Sequence, residues 1–516
     1  MKPWCVLVSG LIFTSANGRI IEQAVLGNDN RQPTVERDSF AIFNEVNGLL
    51  RQWGNALRPN GFSVTLASVP AHTLLYHART DPDEPGSPEW FAFDAEMSYG
   101  IYGGRRNTSV FLRTYRTTST LDRLLYFNGL SAALTFSGTT DSQDLLVSST
   151  ISHPLQDYAR AERLCAWAKD RHINGFVRTN AGFEVLLCEI NGQGLELVKN
   201  INVTRWADEM DDYSDRSGSD RDGEKGRRPW PPRPPPSSPS PIPHLPNGTH
   251  PRFPGPPRGK FNLFARYASW EWLRAASHTY DGVGEARVRL YPGWHVTAYG
   301  VPDSESVDRM ESLSNQTLDI WRTEVDQMVG DSMHAYKESS GVDWRDVTDT
   351  IVSRYADRLL ELKAVLGLAR QNDAYTPLSN SSSHLKHAYR LVSNLLLPFF
   401  DWDAPREEQI ELCANSVFVP TLDRVNRHEY KLRTAIMHVH KSICTILVDI
   451  HIELSSSPSH YILDPDSPTN LEGLIAQLDW SLWVRCPEVS GRRITRRGLD
   501  LVETTDDRNL NVLVPL

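Results

Sequence analysis

GRRPWPPRPPPSSPSPIPHLPNGTHPRFPGPPRGK, residues 226–260, divides this chain. Fourteen of its 33 prolines fall between Pro229 and Pro257. Just upstream, residues 208–224 read DEMDDYSDRSGSDRDGE, acidic and serine-rich. Neither run holds enough apolar surface to offset the cost of ordering its backbone, about 1–2 kcal/mol per residue. The composition therefore predicts a disordered linker over 207–260, acidic first and then Pro-rich, with the proline part extended as a semi-rigid polyproline II spacer. The dibasic pair Arg227-Arg228 invites a processing protease, and Pro229 directly after it disfavours the cut.

On either side lies ordinary globular material. The chain has 516 residues, 40% apolar and 23% charged, and a mean hydropathy of −0.41 that disfavours a polytopic membrane protein. The net charge of −10 leaves no strongly basic globular stretch. Nucleic acid is thus not an expected partner, because phosphate contacts demand a basic face.

The first 18 residues have the three-part form of a signal peptide: Lys2, an apolar run from Trp4 to Thr14, then small residues up to Gly18. The run is too short to span a bilayer, which takes about 20 apolar residues, and no later stretch is long enough to make a transmembrane segment. Five N-x-[ST] sequons, at Asn107, Asn202, Asn247, Asn315 and Asn380, agree with passage through the secretory pathway. The expectation is a secreted, glycosylated protein. Five cysteines follow the leader. Cys165 and Cys188 make the natural pair in the N-terminal half, and one further bridge must come from Cys413, Cys444 and Cys486, with the choice open. No C-x-x-C occurs, so no zinc ribbon is expected.

Downstream, residues 261–516 read as a mainly helical domain. Trp344, Val347, Ile351, Tyr355, Leu359, Leu362 and Leu366 recur at helical spacing until Gly367, which reads as the stop. A second stripe runs from Leu432 to Leu454, and a third helix covers Ser306 to Met333. Arg287 to Tyr299 reads as a short hairpin, and Trp270 and Trp272 as packing anchors. His438 and His440 point about 200° apart on a helix, so no metal site is expected there.

Upstream, residues 30–206 alternate short strands with helices, which predicts an α+β domain. Helices are expected over Asp38–Gln52 and Asp94–Tyr102. Strands are expected near Leu74–His77, Trp90–Phe93, Ser109–Arg116, Leu124–Tyr126 and Phe183–Cys188. The polar run Gly138-Thr-Thr-Asp-Ser-Gln-Asp144 reads as a turn, and it lacks the Gly-x-Ser-x-Gly elbow of a serine nucleophile.

Three segments of this region carry a resemblance. They are VPAHTLLYHAR (69–79), PEWFAFDAEMSYGIY (88–102) and NGFVRTNAGFEVLLC (174–188). In order and spacing they resemble the signature strands of the ADP-ribosyltransferase fold, in its His-aromatic-Glu branch. Residues 110–144 also look like secreted fungal proteins of unassigned function. The resemblance implies NAD as substrate. His77 would bond the ribose, Trp90 and Tyr99 would face the nicotinamide, and Glu184 would be the catalytic carboxylate that steadies an oxocarbenium-like state. Two residues depart from the pattern: Ala78 stands where the family has the Gly that lets backbone approach the cofactor, and Trp90 where Tyr is common. The rival expectation is a non-enzymatic secreted or cell-wall-associated protein whose helical half binds a protein partner.

Overall fold

Among the described residues nine strands form one sheet, and the ninth comes from beyond the linker. The computed structural model describes residues 32–102, 109–192, 194–204, 272–301, 307–334, 339–373, 381–417, 420–455 and 463–484. The expected leader, the linker at 207–260, Asn107, Asn247, Asn380 and Cys486 lie outside the described residues. The strands are β1 (Ser63–Val69), β2 (Leu74–Arg79), β3 (Glu89–Ala92), β4 (Phe111–Thr117), β5 (Leu121–Phe127), β6 (Gly175–Thr179), β7 (Phe183–Leu187), β8 (Leu195–Asn202) and β9 (Arg289–Thr297). They lie in the order β8-β4-β2-β3-β7-β6-β5-β1-β9. All neighbours are antiparallel except β5 and β6, which α5 (Asp141–Val147) and α6 (Asp157–Lys169) connect.

The region before the linker is thus an α+β unit, as its alternating pattern predicts, with α1 (Gln32–Arg37), α2 (Ser39–Gly48), α3 (Gln52–Leu57) and α4 (Ala95–Tyr102) completing it. The region after it is mainly helical: α7 (Asn315–His334), α8 (Trp344–Asp373), α9 (Ser381–Leu396), α10 (Arg406–Ala414), α11 (Arg427–Ser455) and α12 (Ser467–Leu478).

Several local expectations change: the helix expected over Ser306–Met333 begins only at Asn315, and the one expected over Asp38–Gln52 ends at Gly48, a second helix starting at Gln52. Arg287–Tyr299 is not a hairpin but the single edge strand β9. Pro292 has no N–H to give the ladder, and the register with β1 shifts between Thr65 and Ala67 to pass it. Gly367 does not stop α8, which runs on to Asp373. A glycine inside a helix costs about 1 kcal/mol, and the long buried stripe of α8 outweighs that. Residues 138–144 are not a solvated turn, because α5 starts at Asp141 and buries Asp141, Ser142, Gln143 and Asp144.

Both faces of the sheet are covered by elements from both sides of the linker. On one face Leu75, Phe91, Tyr126, Val177 and Val185 join a cluster with Phe43 and Val46 of α2, Ile351 and Tyr355 of α8, and Ile436 and Val439 of α11. On the other, Val64, Leu66, Leu125, Phe176 and Leu186 pack with Ala161 and Leu164 of α6 and with Trp321 and Val325 of α7. Disulfides pin each region: Cys165–Cys188 ties α6 to the end of β7, and Cys413–Cys444 ties α10 to α11. Among the described residues only α11 is long and apolar enough to cross a membrane, and 56% of its apolar window is buried in the fold.

Ion pairs also bridge the linker, among them Arg51–Asp349, Arg58–Asp479, Arg171–Asp326, Arg287–Asp94 and Arg309–Asp141. Each buried Leu, Ile or Phe at this junction is worth about 1.5–3 kcal/mol, far more in sum than one peptide bond in the linker contributes by closing the loop. A site-specific protease sequence placed between 207 and 260 should therefore give two pieces that co-elute on gel filtration and part only in denaturant. Two pieces eluting separately in native buffer would contradict the shared core.

Candidate functional site

Arg178, on β6, meets counter-charges from two other elements. β6 is buried along its whole length, and its register sets Arg178 directly opposite Glu184 on β7. The guanidinium is 2% exposed. Its Nε donates to Glu184. Nη1 and Nη2 donate to the two carboxylate oxygens of Asp157, at 2.8 and 2.7 Å, and Nη1 also reaches Gln143 Oε1 at 3.2 Å. The plane lies over Trp90 of β3, 3.5 Å from the ring centroid, a cation–π contact made stronger by its seclusion from water.

The two carboxylates share this cation unequally. Burial pushes Asp157 up, but Arg178 and Arg160 together outweigh it and hold its carboxyl below the usual range. Burial pushes the Glu184 carboxyl up, further than the single bond from Arg178 pulls it down. Asp157 is therefore the fixed counter-ion, and Glu184 is the group held closer to neutrality. Asp144, on α5, extends the network. It pairs with Arg160 at 3.2 Å and with Arg163 at 3.0 Å, and it accepts the Ser152 hydroxyl at 2.6 Å.

His77 lies two strands away from β7. It is 6% exposed and its ring stands 5.6 Å from Phe91. Nδ1 bonds the Trp90 carbonyl at 2.8 Å. A carbonyl only accepts, so the proton sits on Nδ1 and the neutral ring keeps a lone pair on Nε2. Burial lowers the imidazole's affinity for a second proton. Nε2 has no hydrogen-bond partner, and the Glu89 carboxylate, itself bonded by the Tyr158 hydroxyl at 2.9 Å, stands 3.6 Å away. The next N–H along β2, that of Ala78, donates to Ser98 Oγ at 2.7 Å. Tyr99 follows Ser98 on α4 and is half-buried.

The sheet thus brings His77, Trp90 and Glu184 onto three adjacent strands, β2, β3 and β7. Trp90 and Glu184 meet through Arg178, while His77 turns to the Trp90 backbone and Glu89. Sequence reasoning missed Arg178, Asp157, Gln143, Asp144 and Glu89. The one available signal was a charged residue inside the apolar strand GFVRT. Of the other expected positions, Asn202 and Asn315 are exposed, and Cys165 and Cys188 are bonded to each other. Cys413, His440 and Cys444 gather within 4.8 Å, but their sulfurs are joined in the disulfide.

Removing one partner of a buried ion pair leaves an uncompensated charge, at about 3–5 kcal/mol. Arg178→Met should cost that much at pH 7, measured by denaturant unfolding. The loss should shrink as pH falls through the carboxylate range, where Asp157 and Glu184 take up protons. Glu184→Gln should cost no more than about 1.5 kcal/mol, since the amide oxygen still accepts from Nε. A larger loss from Glu184→Gln than from Arg178→Met would contradict the assigned roles.

The matches to known proteins fall on this same region. The family model described as YPL277C N-terminal domain matches residues 31–110 and 100–215, a stretch that holds the whole Arg178 cluster. The Saccharomyces cerevisiae protein "Uncharacterized protein YPL277C" is 30% identical over 216 residues, 33% of this chain and 44% of that protein. "Uncharacterized protein YOR389W", from the same organism, is 30% identical over 215 residues, 33% of this chain and 34% of that protein. The chain spans less than half the length of either relative. No solved structure matches. Over its sheet-bearing region, the chain is similar to a fungal domain of unassigned function.

Proposed function

We propose that the N-terminal region is an ADP-ribosyltransferase-like scaffold in decayed form, and that the secreted protein works by binding a partner rather than by cleaving NAD. One observation carries this reading. Arg178 lies over the Trp90 face that a nicotinamide would need, and the same guanidinium neutralises Glu184. An oxocarbenium-like state is steadied by an ionised carboxylate beside it, and a carboxylate bonded to a buried arginine has little field left to offer. A second observation supports it. The Ala78 N–H is taken by Ser98, so both the added methyl and the lost donor oppose a cofactor at that strand end.

Support for the binding role comes from β8, the open edge of the sheet. Among the described residues it pairs only with β4, and Leu197, Val198 and Ile201 stand exposed on it. An unpaired apolar edge is a template for strand addition by another chain. The leader and the sequons support export; of the sequon asparagines, Asn202 and Asn315 are exposed.

The test is calorimetry with NAD and an assay for released nicotinamide, on the full glycosylated chain. Wild type should bind no NAD up to about 1 mM and release no nicotinamide. Ala78→Gly alone should restore neither, because Arg178 still covers Trp90. Saturable NAD binding by wild type, with nicotinamide release lowered about 10²–10³-fold by Glu184→Gln, would overturn the reading in favour of an active transferase.

A further inference from the structure

A cavity far from the Arg178 cluster has the marks of a small-molecule site. It encloses about 320 Å³ between β9, α7 and the start of α11. That is within the usual range for ligand pockets, roughly 300–1,000 Å³. Its floor is buried: Val35, His295, Val296 and Leu432. Its rim, at Gln327 and Arg427, is exposed, so the cavity opens to solvent there.

His295 is the group that asks for a ligand. It is 3% exposed, and Nδ1 bonds Thr65 Oγ1 at 2.8 Å. Nε2 is buried with no hydrogen-bond partner, an omission that costs about 1–3 kcal/mol. Burial, with Lys431 and His428 nearby, pushes the imidazole down to about 3, so it stays neutral. The Thr65 hydroxyl can donate to Nδ1, and the ring proton then sits on Nε2 as a donor. Lys431 supplies the second donor. Its ammonium carries three protons, and two bonds account for part of them: Glu324 at 3.0 Å and the Thr297 carbonyl at 3.4 Å.

The helix N-terminus itself is not the attraction. Asn426 and Glu429 form a closed capping box, in which Asn426 Oδ1 accepts from the N–H groups of His428 and Glu429 while Glu429 accepts from the Asn426 N–H. His295 Nε2 and Lys431 are thus two donors near its floor; Val35, Val296, Leu422, Val425 and Leu432 supply an aliphatic part of the wall, and Glu324, Gln327, Arg427 and Tyr430 a polar part.

We propose that this cavity binds a small organic acid, with the carboxylate held by Lys431 and the Nε2 of His295 and the apolar body lying against Val35, Val296, Leu422 and Val425. A carboxylate supplies acceptors to both donors at once, and its charge pairs with the ammonium. A cation of the same shape would meet Lys431. A plain alcohol would satisfy one donor and leave the other unmet. The site is independent of any NAD chemistry and stands whether or not the Arg178 reading holds.

The experiment uses the full chain and three probes in calorimetry: octanoate, octan-1-ol and inorganic phosphate. Octanoate should bind saturably at one site, at least about tenfold tighter than octan-1-ol, and phosphate should not bind, having no apolar body. Lys431→Met should erase the preference for octanoate over octan-1-ol. Leu422→Trp, a half-buried position at the mouth, should block both without touching the floor; its melting temperature, matched to wild type, shows that the fold is kept. Octan-1-ol binding as tightly as octanoate overturns the carboxylate assignment. Octanoate binding unchanged by Leu422→Trp overturns the location, and no saturable octanoate binding to wild type overturns the proposal outright.

Discussion

A guanidinium that is 2% exposed in a strand buried from end to end has to be compensated where it stands. Arg178 cannot reach water, and desolvating its charge costs several kcal/mol unless counter-charges and bonds surround it. Asp157, Glu184, Gln143 and the face of Trp90 together supply that surround. The requirement propagates outward. It fixes the start of α6 over the sheet, because Asp157 is the first residue of that helix. Asp157 also bonds Arg160, which in turn holds Asp144 of α5. It fixes Trp90 inward on β3, and it determines what chemistry Glu184 can perform.

The sheet that carries this cluster is not closed by its own region. β9 completes it from the far side of the linker, and α8 and α11 cover the face that α2 begins to cover. Arg287 reaches the carbonyl of Phe93 and the carboxylate of Asp94, at the junction of β3 and α4, and Arg309 holds Asp141 at the start of α5. Residues after the linker thus brace the very elements that present the candidate site. The match to the fungal domain ends near 215, while the core continues beyond the linker.

The parts legible in the sequence are those whose signal is local. The stripe from Trp344 to Leu366 and the one from Leu432 to Leu454 each lie within one helix, and β2, β3 and β7 show as short apolar runs. What escaped reading depends on distant partners. Arg178 between Val177 and Thr179 looks like any solvent-facing strand residue until Asp157, Trp90 and Glu184 are brought to it from three other elements. Residues 138–144 look like a turn because they are polar, yet Asp144 is buried by arginines that lie 16 and 19 positions away. Pro292-Gly293 looks like a hairpin turn because nothing local reveals that the strand is an edge strand, where a missing N–H is tolerated. For the site, the sequence points to His77, Trp90, Tyr99 and Glu184, and the sheet sets three of them on adjacent strands, but the cation that meets Trp90 and Glu184 is not legible in it.

The most direct measurement of this account is a crystal structure of the full chain at high resolution, grown with and without saturating NAD. The account predicts the same picture in both: the Arg178 guanidinium flat on Trp90, bonded to Asp157 and Glu184, and no nicotinamide density at that face. A nicotinamide ring stacked on Trp90, with Arg178 swung away and Glu184 bonded to the ribose, would contradict it.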